Sequence, residues 1–492
     1  MMHETKPVIS APSEAPPQPH RRPDIILIMS DEHAPHFSSV YGNTHIHTPN
    51  LQRLAADGMT FDAAYCSSPL CVPSRMSFMT GRYASRIECW DNGSPLRSDI
   101  PTLAHVMRAC GYETILVGKM HFIGPDQLHG FERRPVDDNR VCSTAIESPT
   151  WDDPNATIAQ ARSRLTTAGV AHTPHLEQDH DVMTEALACI DRVAAAGLDR
   201  RPVFLCISFN APHFPLKVPE RYFSLYDGSA IDVPAVTGDE LAAQHPFHKR
   251  LRRYFDIEGV SDETVARARA AYFGLVTHLD EMIGTVLNRV DGAARDGFNP
   301  LLCYASDHGE MLGAHGLWWK CCFFEESARI PLIMRWPGIV SHGRCDTPVS
   351  LLDLTATFAD LAGVGDDPLS APFLQDADGA SLKSFLTGGT INPDRAVISE
   401  YCAHAADRPI RMIRQGPWKY IYYHGERDEL FRLDTDPSER TNLAERPEHA
   451  STIAKLKSLV LDGWSPNDVD RRVRRSQRER QVIAAAGSGV FT

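Results

Sequence analysis

The sequence predicts an α/β fold: a large, doubly wound, mostly parallel sheet flanked by helices, with a smaller C-terminal α+β subdomain. Short, uninterrupted apolar segments alternate with longer segments of helical periodicity, which is the pattern of a parallel sheet buried on both faces. Polar residues directly follow several of the apolar segments, at the edge where such sheets place ligands. The chain of 492 residues is also long enough to bury a large core.

The elements of the predicted sheet follow one another along the chain. Residues 24–29 are a continuous apolar strand that ends in Ser-Asp-Glu-His. Thr48 and Pro49 then begin a helix that Gly58 closes. The remaining pairs, each a helix with the strand after it, are residues 103–111 with 113–117, 180–196 with 203–209, and 262–289 with 301–305.

The C-terminal part has a different pattern. Residues 411–414 and 418–423 predict a hairpin around Gln-Gly-Pro, residues 429–433 a third antiparallel strand, and residues 447–461 a helix with proline at its first position. The predicted organisation is a Pro-rich disordered tail (1–22), a catalytic α/β domain (23–385), the C-terminal subdomain (386–463) and a basic tail (464–492) that contacts solvent or another subunit.

Composition excludes several classes of partner. The chain has 50 lysine and arginine residues against 63 aspartate and glutamate residues, a formal net charge of −13, so nucleic acid is not expected to bind. No apolar segment reaches the roughly 18 residues of a membrane span, and no signal-like segment precedes the first strand. Several of the 12 cysteines lie inside apolar segments, as reduced, buried thiols do. A cytoplasmic location is therefore predicted.

The most specific string is residues 66–82, which contains Cys71-Val-Pro-Ser-Arg75 followed by Thr-Gly-Arg. It resembles the signature of the type I sulfatases, in which the cysteine of C-x-P-S-R is oxidised to formylglycine. The resemblance extends from about residue 24 to about residue 485. It implies that a formylglycine-generating enzyme modifies Cys71 and that the substrate is a small-molecule sulfate ester. The hydrated aldehyde would offer one hydroxyl to attack sulfur and a second to expel sulfate later.

The same resemblance implies a divalent metal site. Asp31 after the first strand, and Asp307 and His308 after the strand at 301–305, correspond to its ligands together with modified Cys71. Glu32 either ligates the metal or forms a hydrogen bond near it. Because carboxylates dominate the set, calcium is favoured, while the histidine leaves manganese as an alternative.

Further family positions supply groups for an anion. Arg75 and Lys119 would hold the diol and the sulfate oxygens, and His121 would be the base that starts sulfate elimination. His213 and Lys320 would bind ester oxygens and protonate the leaving oxygen. Asn92 would donate a hydrogen bond to a sulfate oxygen.

Residues 118–132 and the Trp-Asp-Asn-Gly at 90–93 are similar to the choline sulfatase branch of the family in particular. In that branch the C-terminal tail reaches a neighbouring subunit, which implies a homo-oligomer, a dimer or a tetramer. The present chain ends without the Trp-Asp segment that contributes to the quaternary ammonium site of that branch. Candidates for a replacement cation site are Trp151, Trp318 and Trp319, with Asp152 or Asp153 nearby.

Two other functions compete with sulfate ester hydrolysis. A phosphonate monoester or phosphate diester hydrolase of the same superfamily would share the fold and the nucleophile. A binding protein with an inactive site is the non-catalytic alternative. The complete C-x-P-S-R with its serine favours a sulfatase, and the presence of every proposed ligand argues against an inactive site. The leaving group, whether choline, aryl or sugar, stays open.

Overall fold

A computed structural model describes residues 22–138, 157, 161–197, 199–228, 231–294 and 298–487. The predicted tail before residue 22, and the candidate cation-site residues Trp151, Asp152 and Asp153, lie outside these ranges. The strands are β1 Ile25–Asp31, β2 Met59–Phe61, β3 Ala64–Tyr65, β4 Glu113–Gly118, β5 Arg133–Val136, β6 Gly169–Val170, β7 Val203–Pro212, β8 Lys217–Val218, β9 Leu301–Ser306, β10 Arg329–Ile330, β11 Leu332–Arg335, β12 Gly343–Cys345, β13 Val349–Ser350, β14 Ala396–Tyr401, β15 Ile410–Gln415, β16 Trp418–Tyr423 and β17 Glu429–Arg432. The α-helices are α1 Pro49–Ala56, α2 Cys71–Thr80, α3 Ala84–Ile87, α4 Leu103–Ala109, α5 Ala161–Thr166, α6 Pro174–Ala195, α7 Glu220–Phe223, α8 Gly238–Ala243, α9 Pro246–Tyr254, α10 Asp262–Ala293, α11 Glu325–Ala328, α12 Leu351–Leu361, α13 Ala371–Gln375, α14 Lys383–Leu386, α15 Ala450–Leu461 and α16 Pro466–Gly487.

The main sheet has eight strands in the order β12-β2-β11-β9-β1-β7-β4-β5. The central pairs β9–β1, β1–β7 and β7–β4 are parallel, while β11 is antiparallel to both of its neighbours. The predicted mostly parallel sheet is thus confirmed. Since Ser30 lies opposite Ser306, and Gly118 opposite Ser208, the carboxyl ends of four neighbouring strands meet at one edge.

Helices cover both faces of this sheet, which explains the continuous apolar strands. Side chains along β1 alternate between the faces. Leu27 and Met29 pack in a cluster with α2, α4 and α12, whereas Ile26 and Ile28 pack in a cluster with α6 and α10. All seven residues of β1 are buried. The polar residues of β1, Ser30 and Asp31, lie at its carboxyl end, at the edge where the site lies.

The structure corrects some predicted bounds and one predicted cap. Helix α6 begins at Pro174 rather than at residue 180, because Thr173 caps it by accepting the Leu176 N–H at 3.3 Å. The side chain of Thr48 does not cap α1. Instead, Asp280 of α10 accepts the backbone N–H groups at positions 50 and 51, at 3.0 and 2.8 Å. A carboxylate from a distant helix has replaced the local cap.

The C-terminal sheet is antiparallel, in the order β14-β15-β16-β17. The hairpin and the third strand occur as predicted, and β14 is a fourth strand that the sequence analysis missed. The basic tail is helical, as α16. The domain boundaries stay a prediction. The eleven cysteines within the described residues are buried and form no disulfides, as expected of reduced thiols. Among the described residues, no helix combines the length and apolar character needed to cross a membrane.

Candidate active site

The cysteine of the C-x-P-S-R string lies at the first position of α2. Pro73 is tolerated there because the first helical turn leaves its N–H groups without helical partners. Ser74 ties the helix to the end of β9 by donating its hydroxyl to the backbone oxygen of Asp307 at 2.6 Å. Gly81, with a left-handed φ of 69°, ends the helix. The string therefore places Cys71 at a helix N-terminus, which favours negative charge.

Arg75, one turn along α2, joins four neighbouring strands. Its guanidinium donates to Asp307 Oδ2 at 2.7 Å and to Asp31 Oδ2 at 3.0 Å. It also donates to the backbone oxygen of Lys119 at 2.8 Å and to the hydroxyl of Ser208 at 3.0 Å. The side chains of the arginine and of both aspartates are fully buried. Arg75 thus positions the two carboxylates as well as balancing their charge.

All four predicted metal ligands come together. Ligand atoms of Asp31, Cys71, Asp307 and His308 lie within 4.8 Å of one another, and all four residues are buried. Cys71 Sγ lies 3.2 Å from His308 Nε2 and 3.8 Å from Asp31 Oδ1. The other ring nitrogen of His308, Nδ1, lies 3.0 Å from the carbonyl oxygen of Gly309. Since Nδ1 must donate to a carbonyl, Nε2 presents a lone pair to the cluster. Two carboxylates and an imidazole nitrogen fit a divalent cation.

The surroundings of Cys71 favour the protonated form of its thiol. Burial, followed by the negative charge of Asp31, raises the pKa of Cys71 to about 12. A neutral thiol is a poor nucleophile and a poor metal ligand. Burial acts to raise the pKa of Asp31, but the positive charges of Lys119 and other basic neighbours outweigh it and hold this pKa well below its usual range. These surroundings favour a charged carboxylate at Asp31 and a neutral thiol at Cys71.

Glu32 forms a second group with Lys320 and His213. Lys320 Nζ lies 2.9 Å from Glu32 Oε1, and His213 Nε2 lies 3.4 Å from Glu32 Oε2. Burial raises the pKa of Glu32 to about 8, against the opposing effect of Lys320. Glu32 is absent from the four-residue cluster of described residues but groups with Asp31 and His213 in a second one. Its predicted alternatives, metal ligand or hydrogen-bond partner, therefore both stay predictions.

Lys119 and His121 follow β4. Lys119 Nζ lies 2.7 Å from Asp31 Oδ2, with both side chains fully buried. The main chain turns at His121, which has a left-handed φ of 61° and donates its N–H to Asp138 Oδ2 at 2.6 Å. His121 is buried and is not one of the described residues that line the cavity in front of Cys71. Its role as a base stays a prediction.

A cavity of about 350 Å³ opens in front of Cys71. The predicted site residues that line it are Cys71, Asn92, His213, Lys320 and Trp319, the last being a candidate for cation binding. The sequence analysis missed the other lining residues, which are Leu70, Arg164, Phe214, Phe255, Cys321 and His404. Trp318 packs in the core instead. Leu70, Phe214 and Cys321 are adjacent in sequence to predicted residues, whereas Arg164, Phe255 and His404 come from segments without a recognised motif.

Contacts with α2 and with α16 hold the loop that carries Asn92. Its Oδ1 accepts the backbone N–H of Val72 at 3.1 Å, which leaves the amide nitrogen as a donor. The adjacent Asp91 is held by Arg480 of α16 through two hydrogen bonds of 2.7 Å each, and both side chains are buried. The C-terminal tail therefore supports the cavity of its own chain. A contact of the tail with a second subunit stays a prediction.

We expect Arg480→Ala to loosen the loop that carries Asn92 and to lower kcat/KM by about 10- to 100-fold, because small misplacements of a binding group are costly. Hydrogen exchange at residues 88–95 should accelerate. Arg475→Ala is the matched control, since Arg475 pairs with Glu479 on the exposed face of the same helix, and it should change neither quantity. Unchanged exchange in Arg480→Ala would contradict a positioning role.

Comparison with known families defines the class of protein. Residues 23–364 match the family model described as Sulfatase, and residues 313–463 match the model described as N-sulphoglucosamine sulphohydrolase, C-terminal. Because the first match covers more than half of the chain, the protein belongs to the sulfatase family. Its fold and its enzyme class, a sulfuric ester hydrolase, follow from that membership.

Individual relatives agree with this assignment. The chain is 37% identical to a choline-sulfatase of Rhizobium meliloti, over 94% of this chain and 91% of that protein. It is 27% identical to an arylsulfatase of Clostridium perfringens, over 89% of this chain and 94% of that protein. A solved phosphonate monoester hydrolase from Silicibacter pomeroyi shares the fold, with a TM-score of 0.71 and 24% identity over 90% of this chain and 95% of that one.

Proposed function

We propose that this protein hydrolyses sulfate monoesters through a formylglycine formed from Cys71, with a divalent cation at Asp31, Asp307, His308 and modified residue 71. The carrying observation is the position of Cys71. It lies at a helix N-terminus, 3.2 Å from His308 Nε2, inside the cluster of ligands and at the floor of the cavity. Calcium is the preferred cation and manganese the alternative.

The two groups that the chain would carry supply complementary chemistry. A hydrated aldehyde at position 71 provides one hydroxyl to attack sulfur and another whose deprotonation expels sulfate and restores the carbonyl. The cation provides positive charge for the sulfate oxygens.

The protein's own residues orient and protonate the substrate in this proposal. Arg75 and Lys119 contact Asp31 beneath residue 71. Their positive charges stabilise the negative charge that develops on the oxygens at residue 71 during the reaction. His213 and Lys320 line the cavity and supply the proton that the leaving oxygen needs when its bond to sulfur breaks. Asn92 donates its amide nitrogen to a sulfate oxygen. His121 accepts the proton of the remaining hydroxyl when sulfate leaves.

The finer assignments accompany this proposal. The names of the two curated relatives favour choline or an aryl group as the leaving group. A formylglycine-generating enzyme would modify Cys71. The buried, unpaired cysteines among the described residues favour a cytoplasmic location, and the choline sulfatase resemblance favours a homo-oligomer.

The decisive test compares 4-nitrophenyl sulfate and choline sulfate with bis(4-nitrophenyl) phosphate, on protein whose aldehyde at residue 71 is confirmed by mass. Both ester classes present a tetrahedral centre with a single charge, so some turnover of the diester is expected. We expect kcat/KM for the better sulfate ester to exceed that for the diester. A higher value for the diester would favour the phosphonate and phosphate diester alternative.

The same assay tests the metal. Chelation with EDTA should abolish sulfate ester turnover, and calcium should restore it better than manganese. Calcium should also raise the Tm of the stripped protein, because a ligand that binds only the folded state stabilises it. Full activity and an unchanged Tm after verified removal of metal would contradict the assignment of the four-residue cluster.

A further inference from the structure

We infer that the cavity selects sulfate monoesters whose leaving group combines an apolar or aromatic body with a second anionic group, which Arg164 binds. This inference rests on the proposed function and names the substrate class of the same site. The specificity-determining residue is a cation on α5 that takes no part in the proposed reaction.

Arg164 is a cation without a partner among the described residues. It lines the cavity together with Cys71 and Lys320, and its guanidinium carbon lies 4.4 Å from the centroid of the Phe214 ring. Within the described part of the chain it forms no hydrogen bond or ion pair, whereas Arg162, on the same helix, pairs with Asp256 at 3.2 Å. Burial lowers the pKa of Arg164, against the opposing effect of the Glu32 charge. It remains charged at neutral pH.

The described lining contains no carboxylate that could balance this charge. Its ionisable residues besides Cys71 and Cys321 are Arg164, His213, Lys320 and His404. Burial lowers the pKa of His404 to about 4, so that ring is neutral at working pH. Lys320 already contacts Glu32 Oε1 at 2.9 Å. The free donors of Arg164 are therefore available to a substrate, and a planar anion such as a carboxylate fits them best.

Among the described residues that line the cavity, a quaternary ammonium group finds no comparable partner. Cation recognition uses aromatic faces with acidic neighbours. The Phe214 ring already has Arg164 at 4.4 Å and Lys320 at 5.0 Å from its centroid. The remaining aromatic wall is Phe255 with Trp319, whose rings contact each other edge to face at 4.8 Å. This wall suits a neutral aryl or aliphatic body. The described surface thus repels a second positive charge and attracts a negative one.

The experiment uses full-length protein with a confirmed aldehyde at residue 71 and three substrates: 4-sulfooxybenzoate, its neutral isostere 4-sulfooxybenzamide, and choline sulfate. Because a carboxylate and an amide also change the intrinsic reactivity of the ester, the measured quantity is the ratio of their kcat/KM values. We expect this ratio to fall by about 10-fold in Arg164→Gln, the size of one charge-assisted contact. The amide should be turned over at a similar rate by both proteins, and choline sulfate should be the poorest of the three.

Arg162→Gln is the matched control and should leave the ratio unchanged. The inference would be overturned if Arg164→Gln and the protein with Arg164 gave the same ratio of kcat/KM for the benzoate to kcat/KM for the benzamide. It would also be overturned if choline sulfate were turned over better than the benzoate. Sulfatase activity itself would stand in both cases. Failure to hydrolyse any of the three esters, or 4-nitrophenyl sulfate, would overturn the proposed function, and the inference with it.

Discussion

Replacing Cys71 with alanine should lower kcat by about 10⁴-fold or more, since it removes the atom on which both covalent steps depend. The fold should survive, because loss of one small buried group costs only about 1 kcal/mol. The measurement is sulfate release from 4-nitrophenyl sulfate, together with thermal unfolding of the same preparation.

Cys303→Ala is the matched control for this variant. Cys303 is equally buried but lies within β9, in the core below the sheet edge, so its replacement should leave activity intact. Intact-peptide mass adds a chemical readout, as conversion of Cys71 to formylglycine lowers the mass by roughly 18 Da. Active protein whose residue 71 is still an unmodified cysteine would contradict the proposed nucleophile.

Arg75→Ala should both unfold the protein more easily and abolish turnover. Its removal leaves the carboxylates of Asp31 and Asp307 buried with less compensation, and breaking a buried pair in this way costs about 3 to 5 kcal/mol. Denaturant unfolding of the metal-free protein measures the loss, and a fall in its midpoint is expected.

A surface pair provides the comparison. Arg86 lies 2.9 Å from Asp378, but its side chain is 38% exposed. Arg86→Ala should therefore cost less than about 1 kcal/mol and retain activity. Similar stabilities for the Arg75 and Arg86 variants would show that the buried network does not hold the strand ends together.

Local patterns predicted that polar side chains meet at one edge of the sheet, and the family resemblance singled out the residues at the floor of the site. Each predicted group there directly follows a buried strand or begins a helix, and parallel strands bring their carboxyl ends to one edge. The family resemblance added roles to particular residues, and the structure brings the four expected metal ligands within 4.8 Å of one another.

The side chains that form the walls of the cavity could not be predicted from local sequence patterns. Arg164, Phe214, Phe255 and His404 come from four segments, and none belongs to a periodic or spaced pattern. An arginine in a short helix is ordinary, and only its surroundings distinguish the unpaired Arg164 from Arg162. The same is true of β14, which the analysis missed, because pairing with β15 defines it as a strand.

The sequence by itself determined the α/β class and the strand ends that carry charge, because these depend on short-range periodicity and on residues adjacent in the chain. Only the tertiary structure decided how α1 is capped, how Arg480 supports the loop of Asn92 from 389 positions away, and which side chains face the leaving group. These features depend on contacts between distant segments. Such contacts form when the apolar faces pack, and their energies are set by burial and charge balance that no single segment contains.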